Sequence, residues 1–251
     1  MEKIPVSVII LTKDSEKHIK QVLEQLKEFY EVLIIDNGST DNTLLIAKEF
    51  NNVKIFKEKF IGFGPLRNKA INYAKYDWIL FIDSDEIVTS NMKEKIKKID
   101  FTKMNHIYAF LRKNYYKNKL INCCGWEKDY VKRLFNRNHT NYSNKKVHED
   151  IIEKRTSKVV YIKDGLNHYA YDGVDKLIDK MQYYSTLWSL ENRKCCCLVR
   201  GIFSSIFKFI KNYFLEKGIF YGYEGFIISV CNSLGVFFKY IKLYEREKYE
   251  N

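Results

Sequence analysis

A chain of 251 residues is long enough to bury one sizeable core with a helical appendage beside it. Hydrophobic residues at 46 % and charged ones at 29 % exclude a disordered protein, and a formal charge of +12 asks for an anionic partner. Nucleic acid, an anionic membrane surface and phosphorylated substrates all satisfy the charge, but no zinc-finger spacing, nucleic-acid module or arginine-rich block is present, so nucleic acid is disfavoured.

Val6 to Thr12 reads as a first buried strand, and Asp14 or Ser15 can cap a helix to about Glu28, with Ile19, Val22, Leu23 and Leu26 at helical spacing. Val32 to Asp36 is a second strand, ending in the turn chemistry of Asn37 to Asp41. A helix carrying Leu44, Leu45, Ala47 and Phe50 follows, then a short strand Val53 to Phe56, a helix over Leu66 to Ala74 and a strand ending at Asp83. Alternation of strands and helices implies βαβ units and a parallel sheet, with Thr12, Asp36 and Asp83 around one crevice at its carboxyl edge.

Trp78-Ile-Leu-Phe-Ile-Asp83-Ser-Asp85-Glu86 is the most informative stretch: a buried strand that breaks into three carboxylates. Neighbouring acids do not ionise comfortably without a counter-charge. A hard divalent cation bridging diphosphate oxygens would supply one, since Mg²⁺ takes one or two carboxylates plus substrate phosphates. A solvated loop of acids is the plain alternative, and the preceding strands weigh against it.

From Asn91 to about Lys163 the pattern loosens into short strands (Ile107 to Leu111, Val131 to Phe135, Val159 to Ile162) and polar loops, a region suited to acceptor recognition. Asp175 to Leu190 is helical again. Leu198 to Leu215 and Ile219 to Tyr244 carry apolar residues at steps of three and four, with Lys239, Lys242, Arg246 and Lys248 towards the end. A basic, aromatic-rich amphipathic helix suits an anchor on an anionic membrane surface. Gly218 to Phe238 has the length of a span, but Glu224, Asn232 and the glycines count against one. The six cysteines show no zinc or redox spacing and suit free thiols in a reducing cytoplasm, and the start of the chain leaves no room for a signal peptide before Val6.

Four segments in order resemble the family 2 glycosyltransferases: Ser7-Val-Ile-Ile-Leu-Thr12, Ile35-Asp-Asn-Gly-Ser-Thr-Asp41, Gly62-Phe-Gly-Pro-Leu-Arg-Asn-Lys-Ala70 and Trp78 to Glu86. A second patch, Arg133-Leu-Phe-Asn-Arg137, Tyr142-Ser and Val147-His-Glu149, with His168-Tyr beyond it, is similar to the lipopolysaccharide-core β-glucosyltransferase-like branch. The resemblance implies an α/β, GT-A nucleotide-diphospho-sugar transferase fold: a Rossmann-like, mostly parallel central sheet with flanking helices, plus C-terminal amphipathic helices. It implies a transferase domain over 1–175, divided into a nucleotide-sugar half (about 1–100) and an acceptor half (about 101–175), and a helical, membrane-associating region over 176–251.

By the same resemblance, Thr12, Asp36 and Asn37 bind the nucleotide, with Asn37 standing where the family usually has a second Asp. Arg67 follows the glycines at a place from which a cation reaches the diphosphate, with a solvated helix charge as the alternative. Asp83 contacts ribose or metal-bound water, Asp85 binds Mg²⁺ or Mn²⁺ directly, Glu86 supports them, and His168 completes the metal shell. The general base is Glu149 by family position, with Asp150 as the alternative, and His148 orients the base or the acceptor. The expected activity is metal-dependent, inverting transfer from a nucleotide-sugar donor, a UDP-sugar, to a lipid-linked or lipopolysaccharide-core glycan. Its expected place is the cytoplasm, peripheral on the inner face of the cytoplasmic membrane. The alternatives are a sugar nucleotidyltransferase of related fold, which lacks support from an early glycine-rich phosphate loop, and a non-catalytic membrane-surface binding protein.

Overall fold

Buried β-branched residues build the frame of the first half of the chain. A computed structural model describes residues 3–146, 149–192 and 198–249. Compactness divides the chain into two units, Met1–Arg112 with Tyr130–His168, and Lys113–Asp129 with Tyr169–Asn251. The segment Lys113–Asp129, expected in the acceptor half, thus clusters with the helical unit.

In the first unit, β1 (Ile4–Thr12), β2 (Phe29–Asp36), β3 (Val53–Lys57) and β4 (Trp78–Asp83) lie parallel in the order β3-β2-β1-β4. Near-continuous apolar runs suit strands covered on both faces, and Ile9, Leu33, Ile35, Ile79 and Phe81 are all fully buried. The polar exception, Ser7, donates its hydroxyl to Glu31 at 2.6 Å and accepts the Tyr76 amide at 3.0 Å, so no polar atom of it is stranded in the core. Three helices accompany the parallel strands: α1 (Glu16–Gln25), α2 (Thr43–Ala47) and α3 (Phe63–Ile71). Leu66, Ala70 and Ile71 of α3 join the core cluster of Ile9, Leu33 and Phe81.

Beyond β4 the chain turns through Ser84 and Asp85 into β5 (Glu86–Val88), then forms α4 (Ser90–Lys97), whose first turn is capped by the Thr89 hydroxyl accepting from the Met92 amide. The polar stretch expected to loosen after Asn91 therefore begins as a helix, with Met92 and Ile96 buried and Lys93 and Lys97 paired to Glu28. Three long strands complete the sheet: β6 (His106–Tyr116), β8 (Tyr130–Asn136) and β9 (Lys158–Tyr171), with β8 antiparallel to both β4 and β6. The short β7 (Lys119–Leu120) pairs with the end of β6 inside the second unit. β9 runs antiparallel to β5 in a register that sets Glu86 opposite His168.

The second unit is helical: α5 (Val174–Glu191), α6 (Leu198–Ile210) and α7 (Gly222–Tyr249), with one π turn over Lys211–Leu215. Gly201 lets α6 approach α7 closely, since a Cβ there would lie 2.8 Å from Tyr240 Cβ. Buried free thiols of Cys123, Cys124 and Cys231 pack with Ile121, Leu177 and Ile228. Phe203 and Phe207 of α6 are 68 % and 63 % exposed, and Val199, Ile202, Ile206 and Ile210 share that outward face. Among the described residues, Gly218–Tyr249 is long and apolar enough to cross a membrane by length and composition.

Candidate functional site

The ends of the parallel strands meet in register. Thr12 pairs with Asp36 and Leu11 with Asp83, so the residues expected around one crevice occupy one edge of the sheet. The Asp36 carboxylate, buried, accepts from the amides of Gly38 (3.2 Å) and Ser39 (3.1 Å), and Gly38 takes the left-handed φ of +93° that this turn needs. Asn37 is turned to the scaffold: its side-chain amide donates to Glu58 O at 3.0 Å and its backbone amide to Thr12 O at 2.9 Å. Thr12 keeps a buried hydroxyl without a hydrogen-bond partner among the described residues.

The two rim loops are tied together. Asp14 accepts from the Thr40 amide at 2.7 Å, Asp41 from the Glu16 amide at 3.0 Å, and Glu16 from the Asn42 amide at 3.0 Å. Ser15 donates to the Ser84 hydroxyl at 2.9 Å, so the acidic turn belongs to the same network. These side-chain bonds tie the loops after β1 and β2 to each other and to the turn after β4.

Arg67 is no solvated helix charge. Its side chain is 5 % exposed, Nη2 donates to Asp83 Oδ1 at 2.9 Å, and Nε donates to Glu149 Oε1 at 3.1 Å. The guanidinium stands 5.0 Å from the Phe81 ring centre and 5.1 Å from that of Tyr142. Arg133 from β8 donates to both Asp83 and Glu86, and Arg112 reaches Glu86 at 3.3 Å. Burial alone would raise the Asp83 pKa, but Arg133 and Arg67 reverse that and hold the carboxyl well below the usual range. Burial works against both guanidiniums too. Tyr142 and Asp83 outweigh it at Arg67, and Asp83 and Glu86 at Arg133, so each stays charged. Glu86 is fully buried and also accepts the Asp83 amide at 3.1 Å.

Asp85 is placed differently. Its side chain is 32 % exposed, and Oδ2 lies 3.6 Å from Nε2 of the buried His168, which the pairing of β5 with β9 brings alongside. The donor chemistry fits a divalent cation: one carboxylate oxygen and one imidazole nitrogen, with positions remaining for phosphate and water. Among the described residues no three His, Cys, Asp or Glu side chains converge on such a point.

The two acids weighed as the base separate. Glu149 is 14 % exposed and bound to Arg67, inside the cluster. Asp150 is 61 % exposed and paired with Lys132, outside it. His148 lies outside the described residues. The segment before them is fixed by close backbone contact, because a Cβ at Gly64 would lie 2.1 Å from Ser143 O and 2.5 Å from Lys145 O.

Sequence reasoning assigned no role to Arg133 or Tyr142, although both stand in the motifs quoted for the resemblance. Arg133 shares a strand face with Val131 and Phe135, where an arginine in an apolar row signals a buried charge with a specific partner. Tyr142 is buried against Phe81 and Phe135, and its hydroxyl has no partner among the described residues.

A match to the family described as Glycosyl transferase family 2 covers residues 7–165, more than half of the chain. The chain belongs to glycosyl transferase family 2. It is 25 % identical over 263 residues to an uncharacterized glycosyltransferase of Rickettsia typhi, covering 98 % of this chain and 88 % of that one. It is also 25 % identical over 259 residues to the lipopolysaccharide core biosynthesis glycosyltransferase LpsC of Rhizobium meliloti, covering 97 % and 93 %. Among solved structures, S. aureus TarS 1-349 in complex with UDP-GlcNAc superposes with a TM-score of 0.50 at 16 % identity, covering 99 % of this chain and 92 % of that one. The fold is therefore that of the GT-A glycosyltransferases, a mixed sheet with flanking helices and a long C-terminal helix, and this member of family 2 is a transferase.

Proposed function

We propose that this glycosyltransferase moves a sugar from a UDP-sugar, with a divalent cation and with inversion, to a lipid-linked or lipopolysaccharide-core glycan at the cytoplasmic face of the membrane. The observation that carries the reading is the unequal treatment of three neighbouring acids. Asp83 and Glu86 are held by arginines, whereas Asp85 faces outward beside His168. A Mg²⁺ or Mn²⁺ held by Asp85 and His168 would act as a Lewis acid towards the leaving diphosphate.

The chain's own residues supply the rest. Thr12, with its unpartnered hydroxyl, and Asp36, with lone pairs beyond its two amide bonds, suit the base and ribose of a nucleotide. Asn37 serves by bracing that turn. Among the described residues Arg67 retains an unpartnered N–H at Nη1, suited to an anionic phosphate oxygen. Glu149, fixed by Arg67, takes the proton of the acceptor hydroxyl as that oxygen attacks the anomeric carbon, while the nucleoside diphosphate leaves from the opposite face. Asp150, on Lys132, is the weaker candidate for that step.

The names of two relatives support the choice of substrates: TarS was solved with UDP-GlcNAc, and LpsC is named for lipopolysaccharide core biosynthesis. The outward apolar face of α6, flanked by Arg200 and Lys211, supports contact with a bilayer surface. Calorimetric titration with UDP, with and without Mn²⁺, tests the donor site: binding should strengthen with the cation in the wild type and not in Asp85→Ala. Equal binding in both proteins under both conditions would reject the assignment.

A further inference from the structure

The second unit contains an open cavity of about 380 Å³ lined by α5, α6, α7 and the turn at Cys124 to Trp126. Each of the three helices contributes one lysine to its wall, Lys180, Lys208 and Lys239, and among the described residues no carboxylate lines it. Lys180 stands over the Tyr171 ring at 4.4 Å, and Tyr171 stacks on Trp126 at 4.6 Å. Lys239 lies 5.9 Å from the Trp188 ring centre. Among the described residues neither Lys208 nor Lys239 has an acidic partner. Burial first, and the Lys208 charge second, push the Lys239 ammonium below its ordinary pKa, so these two cations act on one another. Like charges gathered around a partly desolvated cavity cost stability, and a bound anion would turn that repulsion into attraction.

We propose that this cavity is a binding site for a phosphate group, a monoester or a diphosphate, carried on a ligand with an apolar or ring portion. Two ammonium groups without an acidic partner among the described residues, Lys208 and Lys239, match the near-double charge of a phosphomonoester better than the single charge of a carboxylate. Lysine binds phosphate as a point charge, whereas a carboxylate is recognised best by the planar fork of arginine, and among the described residues no arginine lines the cavity. Leu177, Met181 and Val236 on the wall leave room for an apolar portion, and the volume is that of a small-molecule site. The phosphate can come from a lipid headgroup or from a soluble phosphorylated sugar. The proposal stands apart from the donor reading, because every residue it uses lies in the second unit.

The test is calorimetric titration of the full chain with inorganic pyrophosphate in the presence of saturating UDP, which occupies any nucleotide site. Lys208→Met/Lys239→Met should bind at least about tenfold more weakly than the wild type, the loss expected from one charge-assisted contact. Lys95→Met/Lys98→Met, which removes the same charge from α4 and the residue that ends it, and Lys208→Arg, which keeps the charge in the cavity, should bind as the wild type does. Equal affinity in the double cavity variant, or no pyrophosphate binding by the wild type, would overturn the proposal. Flotation with vesicles of phosphatidylcholine containing phosphatidic acid or phosphatidylglycerol then identifies the source. A deficit of the cavity variant on phosphatidic acid alone assigns the site to a lipid phosphomonoester. Unchanged flotation beside lost pyrophosphate binding assigns it to a soluble phosphorylated ligand.

Discussion

Arg133→Met should destabilise the first unit far more than a surface ion pair can explain. Arg133 is 7 % exposed and holds two carboxylates at once, Asp83 at 34 % exposure and Glu86 at 0 %. Without it, Asp83 keeps Arg67 at 2.9 Å, but among the described residues Glu86 retains Arg112 alone, at 3.3 Å, as an ion-pair partner. Breaking a buried pair by removing one member costs roughly 3–5 kcal/mol, and the remaining arginines place this case near the lower end, about 3 kcal/mol. The exposed pair of Lys103 with Asp100, 3.5 Å apart at 57 % and 49 % exposure, sets the comparison. Lys103→Met should cost no more than about 1 kcal/mol. Glu86→Gln, which keeps an acceptor for the Asp83 amide, completes a double-mutant cycle. Arg133→Met/Glu86→Gln should be less destabilised than the sum of the singles by about 1–3 kcal/mol, because the acid that Arg133 leaves behind is gone. Urea unfolding followed by Trp78 fluorescence in a Trp126→Phe/Trp188→Phe background reads the first unit alone. A loss below about 1 kcal/mol for Arg133→Met, or strict additivity in the cycle, would refute the view that Arg133 neutralises buried acids.

The remaining expectations are smaller in scope. Glu149→Gln should abolish turnover while leaving UDP affinity within about threefold, and Asp150→Asn should retain most activity; the reverse ranking in a nucleotide-release assay would move the base to Asp150. Gly64→Ala should destabilise by at least about 2 kcal/mol, since the new methyl meets backbone oxygens rather than a side chain that can turn away; an unchanged thermal midpoint would contradict that packing. Burial alone would raise the Glu31 pKa, but the Ser7 hydroxyl, the Lys75 amide and Lys54 lower it below its ordinary value of 4.5. The stability this contributes is complete above that value and is lost as the pH falls towards the folded pKa. Glu31→Gln should therefore show a shallower acid decline than the wild type in urea midpoints taken from pH 6 to pH 3. Phe203→Asp/Phe207→Asp should weaken vesicle flotation by at least about tenfold without changing the circular dichroism spectrum, and unaltered flotation would remove the α6 face as the bilayer contact.

Much of the first unit was legible in the sequence because its signals are local. Apolar runs mark β1, β2 and β4, and the rules of parallel connection place Thr12, Asp36 and Asp83 at one edge, where the strand registers set them. The helix α4 was not legible, because Met92 and Ile96 are its sole buried anchors and a single pair at i and i+4 gives no sustained period. The arginine pairing of Asp83 was equally hidden. It depends on β8 returning antiparallel to β4, with Leu80 opposite Leu134, and that register is decided by tertiary packing between strands some fifty residues apart. His168 beside Asp85 has the same origin, in a pairing that only the folded sheet creates. The separation of Glu149 from Asp150 followed neither spacing nor charge. It became visible once the backbone contact of Gly64 with Ser143 and Lys145 had fixed the segment that carries them.

The charge balance of the cluster bears on the proposed reaction. Four carboxylates (Asp83, Asp85, Glu86 and Glu149) meet three guanidiniums (Arg67, Arg112 and Arg133) and the His168 imidazole, so with a neutral imidazole the site is one negative charge in excess. A nucleotide-sugar diphosphate brings two negative charges, which this site alone would repel. Together with a divalent cation the donor enters without net charge, so the cluster should favour the pair over the free nucleotide. The remaining negative charge then suits a reacting sugar that becomes positive as its bond to phosphate lengthens. If the excess charge rather than a single ligand sets the requirement for the cation, Glu86→Gln should loosen it. UDP affinity measured without Mn²⁺ should rise in that variant, whereas in Asp85→Asn the affinity measured with Mn²⁺ should fall. A fall in cation-free affinity for Glu86→Gln would show that Glu86 acts through the position of Arg133 instead.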